Sequence, residues 1–389
     1  MPTTAANLHL SKRFDGVGFS EIVQIRNKVM ALPPDKKVFP FHGGEPVPNT
    51  PQYIKDAMVK ALSENRTRYA ASSGEPGLLK AILNKVNTTN RIPAEPGDVQ
   101  VVNGGMHALS CAFQATLDPG DDVILFSPYW TPMRDVAKLA GANMVLVSTQ
   151  TARRDGIRET LIRHVTPRTK AIYFNTPLNP TGEVFSREEV QAVADFAQDY
   201  NIVVISDEAY EDLIFEGEHV SIASLPGMHE RTLSCFTFSK TYSMTGWRVG
   251  YVVGKEPFMT GIRAFALYSI NGVSTPTQYA AEAALTQTPP QYLADLRRTY
   301  RELRDLMADG LASLGFECPR PAGAFYLFPN ATAFGNDSWQ ICNMLIERTG
   351  VTSVPGVVFG PEGEGHLRLS FSTSRENIEG ALDSLRRNL

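Results

Sequence analysis

Residues Ser234–Tyr251 read SCFTFSKTYSMTGWRVGY, and they predict both a buried strand and a reactive lysine. The stretch overlaps a short apolar, β-prone run, Leu233–Phe238, and that run breaks at Ser239-Lys240. Burial of an unpaired ammonium group costs free energy and usually lowers its pKa. A lysine at the mouth of a buried strand is therefore suited to imine formation with an aldehyde, because the neutral amine is the nucleophile.

A permanent cation follows the lysine within the same stretch. Arg248 lies eight residues beyond Lys240, past Gly246, and a guanidinium group is suited to hold a phosphate. A lysine for an aldehyde and an arginine for a phosphate together indicate pyridoxal phosphate as the cofactor. An isolated Ser-Lys pair is more often a strand end with solvated charges, but the full string from Ser239 to Arg248 favours the cofactor site.

Composition places the chain among ordinary globular proteins. Its 389 residues, 43% hydrophobic and 20% charged, are enough for one large and one small domain. A net charge of −4 weighs against a nucleic-acid partner or a membrane-surface partner. The cysteines are far apart and form no CxxC pair, which is typical of reduced thiols in a cytoplasmic protein and not of a zinc site. We expect no metal, no signal peptide and no membrane span, because no apolar run reaches about 18 residues.

From Val99 onward, short apolar runs alternate with helical patterns, which predicts a doubly wound α/β domain with a mainly parallel, seven-stranded sheet. The predicted strands are Val99–Val102, Val123–Phe126, Met144–Val147, Ala171–Phe174, Ile202–Ile205, Leu233–Phe238 and Val249–Val253. The last two strands are close in sequence and are alternatively antiparallel neighbours.

The regions before and after the sheet add helices, and the C-terminal region is predicted to form a smaller α+β domain. Helical patterns precede the sheet at Phe19–Leu32, Thr50–Ser63 and Leu78–Asn87, and others follow it at Thr277–Ala284, Tyr292–Leu314 and Arg375–Leu389. Short strands are expected at Ala324–Phe328, Val351–Val354 and His366–Ser372. We expect residues 1–45 to form an arm and part of the small domain, residues 46–275 the large domain, and residues 276–389 the rest of the small domain.

Polar residues and glycines follow the predicted strands where ligands of such sheets bind. They are Gly104-Gly105, Tyr129-Trp130, Asn175 with Asn179, Asp207 with Tyr210, and Lys240. Gly104 and Gly105 open a helix, so free N–H groups and close backbone approach predict a phosphate cradle, although a plain turn is equally consistent with two glycines. Met106 lies beside the cradle, and Thr237 and Arg248 offer further phosphate donors.

Asp207 and Arg368 carry opposite charges, so we expect them to bind different groups, a cation at Asp207 and a carboxylate at Arg368. Asp207 ends a run of Ile and Val, and a carboxylate buried there needs a cation, which a pyridinium N–H supplies. Trp130 is expected to stack on the ring face. Arg368 lies in HLRLSFS and is our candidate for the substrate α-carboxylate, which the backbone of Gly44 would also approach. For each of these side chains the alternative is an ordinary core or exposed strand residue.

The strings NPTG, SDEAY, SKTYSMTGWR and RLSFS make the chain resemble the class I/II pyridoxal-phosphate aminotransferases, the aspartate aminotransferase-like group of fold type I. The resemblance runs from about Gly43 to Ser372. It implies that Lys240 forms an aldimine with the cofactor, and that Tyr210 and Asn179 bind the pyridine 3′ oxygen. It also implies a homodimer with shared active sites, because a tyrosine at the position of Tyr69 reaches the phosphate of the neighbouring subunit.

The resemblance thus implies a complete set of site residues. The catalytic residues are Lys240, Asp207 and Tyr210. The cofactor-binding residues are Tyr69, Gly104, Gly105, Met106, Trp130, Asn179, Asp207, Tyr210, Thr237, Ser239, Lys240 and Arg248. The substrate-binding residues are Gly44, Trp130, Asn179 and Arg368.

The implied reaction moves an amino group from an L-amino acid to a 2-oxo acid, with Lys240 as the base and acid. No second arginine for a distal carboxylate is evident in Tyr268–Gln278, and Met106 is apolar, so we expect no strict aspartate specificity. Elimination, or cyclisation of a side-chain-substituted amino acid, would use the same residues. A cofactor-binding regulator is a third hypothesis, but such proteins usually carry a preceding DNA-binding domain, and we expect the short N-terminal arm to leave no room for one.

Overall fold

The structure is a computed structural model that describes residues 9–18, 21–33 and 36–389. Its helices are α1 Glu21–Met30, α2 Gln52–Ser63, α3 Pro76–Thr88, α4 Gly105–Thr116, α5 Pro132–Leu139, α6 Thr149–Asp155, α7 Ile157–His164, α8 Arg187–Asp199, α9 Phe258–Ile270, α10 Thr275–Thr286, α11 Tyr292–Ala312, α12 Ser338–Thr349 and α13 Arg375–Asn388. Its strands are β1 Phe39–Pro40, β2 Val99–Val102, β3 Asp122–Ser127, β4 Asn143–Ser148, β5 Thr169–Asn175, β6 Val203–Asp207, β7 Thr232–Thr237, β8 Gly250–Val253, β9 Tyr326–Leu327, β10 Val351–Thr352, β11 Val354–Pro355 and β12 Leu367–Ser370. The predicted starting residues of α1, Phe19 and Ser20, lie outside the described residues, as does Pro34.

A seven-stranded sheet, formed wholly within residues 99–253, is the main element of the α/β fold. Its spatial order is β2-β8-β7-β6-β5-β3-β4. Strand β8 is antiparallel to both of its neighbours, β2 and β7, and the remaining pairs are parallel. The predicted sheet is therefore confirmed, with β7 and β8 as antiparallel neighbours. Because β2 and β7 are both antiparallel to β8, their carboxyl ends meet those of β3, β5 and β6 at one edge.

Apolar side chains on both faces of the sheet are buried, as the unbroken apolar runs predict. Along β3, Val123 and Leu125 face a cluster with α4 and α9, whereas Ile124 and Phe126 face a cluster with α8. This two-sided burial fixes the strands and holds their carboxyl ends in place. Helix α8 begins at a capping box in which Ser186 and Glu189 satisfy each other's backbone N–H groups.

The C-terminal region forms smaller sheets. Strands β11, β12 and β9 pair in that order and are antiparallel, while β1 pairs with β10 in parallel. The prediction of one strand over Val351–Val354 is wrong in one respect, because the chain changes sheets at Ser353: β10 pairs with β1 and β11 with β12. One apolar cluster joins Ile25 and Phe41 from the N-terminal region to this part of the chain.

Helix α9 was not predicted. Its thirteen residues are largely apolar, and Gly261 lets it approach α4, since a Cβ at that position would lie 3.1 Å from the Cβ of Ala115. Among the residues that the structure describes, no helix combines the length and the apolar character needed to cross a membrane.

Candidate active site

Lys240 lies three residues beyond the end of β7 and is half-buried. Its Nζ donates a hydrogen bond to the carbonyl oxygen of Gly44 at 2.7 Å. The same Nζ lies 5.9 and 5.8 Å from the ring centroids of Tyr210 and Phe325. Burial lowers the pKa of Lys240 to about 8, although the carboxylate of Glu45 acts in the opposite direction. A substantial fraction of the amine is therefore neutral near pH 8, as a nucleophile requires.

A cavity of about 300 Å³ opens at the carboxyl edge of the main sheet and contains Lys240 in its lining. The predicted site residues in its lining are Gly44, Gly105, Met106, Trp130, Asn179, Asp207, Tyr210, Thr237, Ser239, Lys240, Arg248 and Arg368. Asn175, which the sequence placed at a strand end, also lines the cavity, with Glu45, Leu109, Ala209 and Tyr326, which the sequence did not single out. The structure thus brings residues from distant parts of the chain to one place.

The turn before α4 has no room for side chains. Gly104 has a φ of +84°, and a Cβ there would lie 2.6 Å from Nη2 of Arg248. A Cβ on Gly105 would lie 3.3 Å from the Cβ of Thr237. The hydroxyl of Thr237 donates to that of Ser239 at 2.8 Å, so hydroxyl groups, a guanidinium group and the first N–H groups of α4 meet here. Such a set of donors is suited to a phosphate group.

Asp207 is the last residue of β6 and is 5% exposed. Its Oδ2 accepts a hydrogen bond from the hydroxyl of Tyr173 at 2.7 Å, and its Oδ1 accepts one from the N–H of Ala209 at 3.2 Å. Burial raises the pKa of Asp207 to about 6, against these two donors. In the part of the chain that the structure describes, no lysine or arginine forms an ion pair with this carboxylate, so its environment fits a cationic ligand group such as a pyridinium N–H.

Arg368 on β12 is 2% exposed, so the alternative of an ordinary exposed strand arginine is wrong. Its guanidinium group donates to Oδ1 of Asn179 at 3.3 Å and to the carbonyl oxygen of His42 at 2.7 Å. The group also lies over the rings of Tyr326 and Phe359, at 4.6 and 5.1 Å from their centroids. Among the described residues, its buried Nε has no hydrogen-bond partner. The guanidinium group lines the cavity, where its N–H groups are suited to bind a substrate carboxylate.

Tyr326 is a site residue that sequence reasoning missed. Its hydroxyl forms a hydrogen bond with that of Tyr210 at 2.8 Å and would lie 2.7 Å from a Cβ at position 44. Tyr326 therefore links Tyr210 to the stacked Arg368 and requires glycine at position 44. The available signal was a tyrosine in the predicted strand Ala324–Phe328, where an alternating pattern alone could not separate a site residue from a core residue.

Asn175 and Asn179 connect two strand ends. Asn175 donates from Nδ2 to the carbonyl oxygen of Asp207 at 2.9 Å, and its Oδ1 accepts from the N–H of Asn179 at 3.0 Å. Asn179 thus lines the cavity, and its Oδ1 accepts a hydrogen bond from Arg368.

A group of acidic residues lies beside the site without lining its cavity. Ligand atoms of Glu208, Glu211 and His219 lie within 4.8 Å of one another, a spacing that a metal ion could use. However, Lys85 bonds to Glu211, and His219 bonds to Glu208 at 2.9 Å, so protein groups already occupy these positions. The expectation that the protein uses no metal stays a prediction.

Tyr69 and Gly104 do not line the cavity of this chain. Gly104 immediately precedes the lining residue Gly105 and forms the turn described above. Tyr69 is 88% exposed and lines a separate surface depression. Its contact with the phosphate of a neighbouring subunit stays a prediction.

Comparisons with known proteins show the family of the chain. A family model for aminotransferase class I and II matches residues 36–385. The chain is 36% identical over 386 residues to an aspartate/prephenate aminotransferase of Thermus thermophilus, with 98% of each chain covered. It is 33% identical over 384 residues to aromatic-amino-acid aminotransferase 2 of Thermococcus litoralis, again with 98% of each covered.

A solved structure of Thermus thermophilus aspartate aminotransferase with maleate matches the fold with a TM-score of 0.92 and 35% identity. The match covers 98% of this chain and 100% of that chain. With the family model spanning nearly the whole sequence and these relatives matched over almost their full length, the chain belongs to the class I and II aminotransferases.

Proposed function

We propose that this aminotransferase uses pyridoxal phosphate, held through Lys240, to move an amino group from an L-amino acid to a 2-oxo acid. The observation that carries the proposal is the lining of one cavity by Lys240, Asp207 and Arg368 beside the Gly104-Gly105 turn. These groups match an aldehyde, a pyridinium nitrogen, a carboxylate and a phosphate, respectively.

Each residue has a role that its surroundings support. Arg248, Thr237, Ser239 and the first N–H groups of α4 would anchor the phosphate, with Met106 beside them. The indole of Trp130 would cover the ring face, and the side chains of Asn179 and Tyr210 would bind the 3′ oxygen. When bound, pyridoxal phosphate supplies an electron-withdrawing ring that stabilises negative charge at the substrate Cα.

Two side chains act directly on the amino acid. The buried guanidinium group of Arg368 binds the α-carboxylate and so fixes the substrate orientation. Lys240, with its lowered pKa, takes a proton from Cα as general base and returns it as general acid. Asp207 keeps the ring nitrogen protonated during this transfer.

We also propose that the enzyme does not require an acidic side chain in its amino donor. Among the described residues, the cations that line the cavity are Lys240, Arg248 and Arg368, and each has a role above. The lining also includes Glu45, which would repel a distal carboxylate, and Met106, which offers it no charge. The relatives named above include an aromatic-amino-acid aminotransferase as well as an aspartate/prephenate aminotransferase. Aromatic donors and acidic donors therefore both need testing.

The test is a screen of amino donors with 2-oxoglutarate and with pyruvate as acceptors. We expect turnover with at least one apolar or aromatic donor, and we expect turnover to stop when the 2-oxo acid is omitted. Turnover that needs no 2-oxo acid would instead indicate elimination or cyclisation. Strict dependence on aspartate or glutamate as donor would contradict the proposed breadth of the side-chain site.

We further propose a cytoplasmic homodimer with the domain division 1–45, 46–275 and 276–389. The exposed ring of Tyr69 supports an interface next to the active site. The four cysteines are free, which is typical of a reducing compartment. The joint apolar cluster of Ile25, Phe39 and the C-terminal helices supports the assignment of part of residues 1–45 to the small domain.

A further inference from the structure

Tyr173 lies below the cavity, on the strand next to Asp207. The two strands β5 and β6 pair in parallel, with Tyr173 opposite Ile205 and Asn175 opposite Asp207. Because side chains two residues apart share a face, Tyr173 and Asp207 lie on the same face of the sheet. The hydroxyl of Tyr173 reaches up the strand to donate to Oδ2 of Asp207 at 2.7 Å.

The rest of the Tyr173 side chain is in an apolar environment. The residue is 2% exposed and belongs to the cluster between the sheet and α4, where its ring centroid lies 6.2 Å from that of Phe113. Within the described residues, Asp207 is the side chain that accepts the hydrogen bond of this hydroxyl. A phenylalanine would fill the same space, so packing alone does not explain a tyrosine at this position.

The hydroxyl can act only as a donor to the carboxylate. Burial, with the negative charge of Asp207 beside it, raises the pKa of Tyr173 well above its ordinary value, so the phenol stays protonated. A donor to the ionised form of a carboxyl group stabilises that form. Tyr173 therefore opposes the burial that raises the pKa of Asp207.

The hydrogen bonds also orient the carboxylate. Tyr173 bonds to Oδ2 and the N–H of Ala209 bonds to Oδ1, so each oxygen has one fixed donor from the protein. Free lone pairs remain on both oxygens for a ligand at the cavity. This arrangement leaves the carboxylate ionised and unable to rotate without losing two hydrogen bonds.

We propose that Tyr173 is a positioning residue that, through Asp207, keeps the ring nitrogen of the bound cofactor protonated. The inference rests on the proposed function. Its reasoning is that without the phenol the carboxylate becomes a stronger base, and the shared proton moves from the ring nitrogen toward Asp207. The electron-withdrawing power of the ring then falls, although the cofactor remains anchored by its phosphate.

The other titratable groups around Asp207 do not replace this donor. The charge of Glu208 raises the pKa of Asp207. The charge of Lys240 lowers that pKa, but by less than the hydrogen bond from Tyr173 does. Burial raises the pKa of Cys235, on the paired strand β7, and that of Tyr210, so both stay protonated and uncharged. These groups remain in place in a Tyr173→Phe variant.

The experiment compares wild type, Tyr173→Phe and Tyr300→Phe, each reconstituted with pyridoxal phosphate carrying ¹⁵N in the ring. Tyr300 is a matched control, because it is 1% exposed and its hydroxyl bonds to Ser372 at 3.1 Å, away from Asp207. Solid-state ¹⁵N NMR reports protonation of the ring nitrogen directly. Thermal denaturation and cofactor dissociation constants are measured on the same samples.

We expect a protonated ring nitrogen in wild type and Tyr300→Phe, and a shift toward the neutral pyridine value in Tyr173→Phe. The amino-transfer half-reaction of Tyr173→Phe should slow about tenfold or more, since the lost bond is to a charged group. In an Asp207→Asn background, Tyr173→Phe should cause no further loss of rate.

An unchanged ¹⁵N shift in Tyr173→Phe would overturn the inference, even if the rate or the melting temperature fell, because such losses would indicate a packing role. If wild type binds the cofactor normally in that case, the proposed function stands. If wild type takes up no pyridoxal phosphate, the proposed function and this inference fail together.

Discussion

Lys85 and Lys240 are both half-buried, but their pKa values differ because, of these two, Lys85 alone bonds to a carboxylate among the described residues. Burial lowers the pKa of a lysine, but at Lys85 the bonded carboxylate of Glu211, together with Tyr251 and Asp212, outweighs burial, so the pKa of Lys85 is raised. Among the described residues, the Nζ of Lys240 bonds to a neutral carbonyl oxygen and not to a carboxylate, and burial lowers its pKa to about 8. Burial alone therefore does not make a lysine reactive, since the absence of a paired anion is also needed.

At the same scale, we predict that Asp207→Asn loses much more activity than cofactor affinity. The phosphate donors remain, but the ring nitrogen loses its charged partner, so the amino-transfer half-reaction should slow by about a hundredfold or more. Rapid-mixing absorbance gives the rate and equilibrium dialysis gives the affinity. Asp98→Asn is the matched control, because Asp98 is 6% exposed and pairs with His229 and Lys255 outside the cavity lining. A half-reaction at the parental rate in Asp207→Asn would exclude the ring nitrogen as its partner.

A second residue-scale prediction concerns the substrate carboxylate. Arg368→Lys keeps a positive charge but loses the planar donor pair, so the KM for the amino donor should rise by about tenfold to a hundredfold. The absorbance spectrum of the bound cofactor should not change. Arg304→Lys is the control, since Arg304 is 3% exposed and bonds to Glu216 and Pro321 away from the cavity. A spectral change without a rise in KM would place Arg368 at the cofactor instead of the substrate.

At the scale of elements, the strands of the main sheet were predictable because each is a continuous apolar run buried on both faces. The spatial order was not predictable in detail, because the antiparallel placement of β8 between β2 and β7 depends on long-range pairing. Helix α9 has few polar residues, so it gives no amphipathic pattern. The switch of sheets at Ser353 likewise leaves no local pattern, because the strands on either side are only two residues long.

The residues of the candidate site were likewise predictable only in part. Residues in distinctive strings, such as Lys240 and Arg368, were predicted and line the cavity. Tyr173 and Tyr326 were missed because an aromatic residue in a buried strand is more often a core residue. Their roles depend on hydroxyl groups that meet Asp207 and Tyr210 only after the strands pair.

The turn between β2 and α4 carries a prediction at this scale. Gly104→Ala should weaken cofactor binding by about tenfold, since the new methyl group would displace the guanidinium group of Arg248. Gly120→Ala is the matched control, because Gly120 also has a positive φ, of +96°, but no neighbouring atom of the described residues lies within 4 Å of its added Cβ. Both variants should lose about 1–3 kcal/mol of stability from backbone strain. Equal cofactor affinities for the two variants would argue against a cradle at Gly104.

At the scale of the whole molecule, two large aromatic side chains of the described residues are almost fully exposed on one chain. Tyr69 is 88% exposed and Tyr268 is 87% exposed, whereas the predicted site residues other than Tyr69 are buried or half-buried with the exception of Arg248. Tyrosine is enriched in the interfaces between proteins relative to the rest of the surface. The exposure of Tyr69 therefore supports the proposal that it completes the site of a second copy.

A mixing experiment tests this shared site. Lys240→Ala and Tyr69→Ala subunits, each poorly active alone, are unfolded together and refolded as a mixture. If Lys240 of one subunit works with Tyr69 of the other, mixed dimers contain one intact site, and activity should recover to roughly a quarter of the wild-type value, since about half of randomly formed dimers are mixed. Sedimentation of a fully active monomer, or no recovery despite mixed dimers, would contradict the shared site.

The central claim is that Lys240 holds the cofactor, and the visible absorbance spectrum of the purified enzyme with pyridoxal phosphate tests it most directly. We predict a band from the covalently held cofactor in wild type and in Lys255→Ala, a control lysine that pairs with Glu95 and Asp98. In Lys240→Ala we expect that band to be absent and turnover to be abolished, although cofactor can still bind through its phosphate. A Lys240→Ala variant that keeps the wild-type band and the wild-type transamination rate would contradict the account.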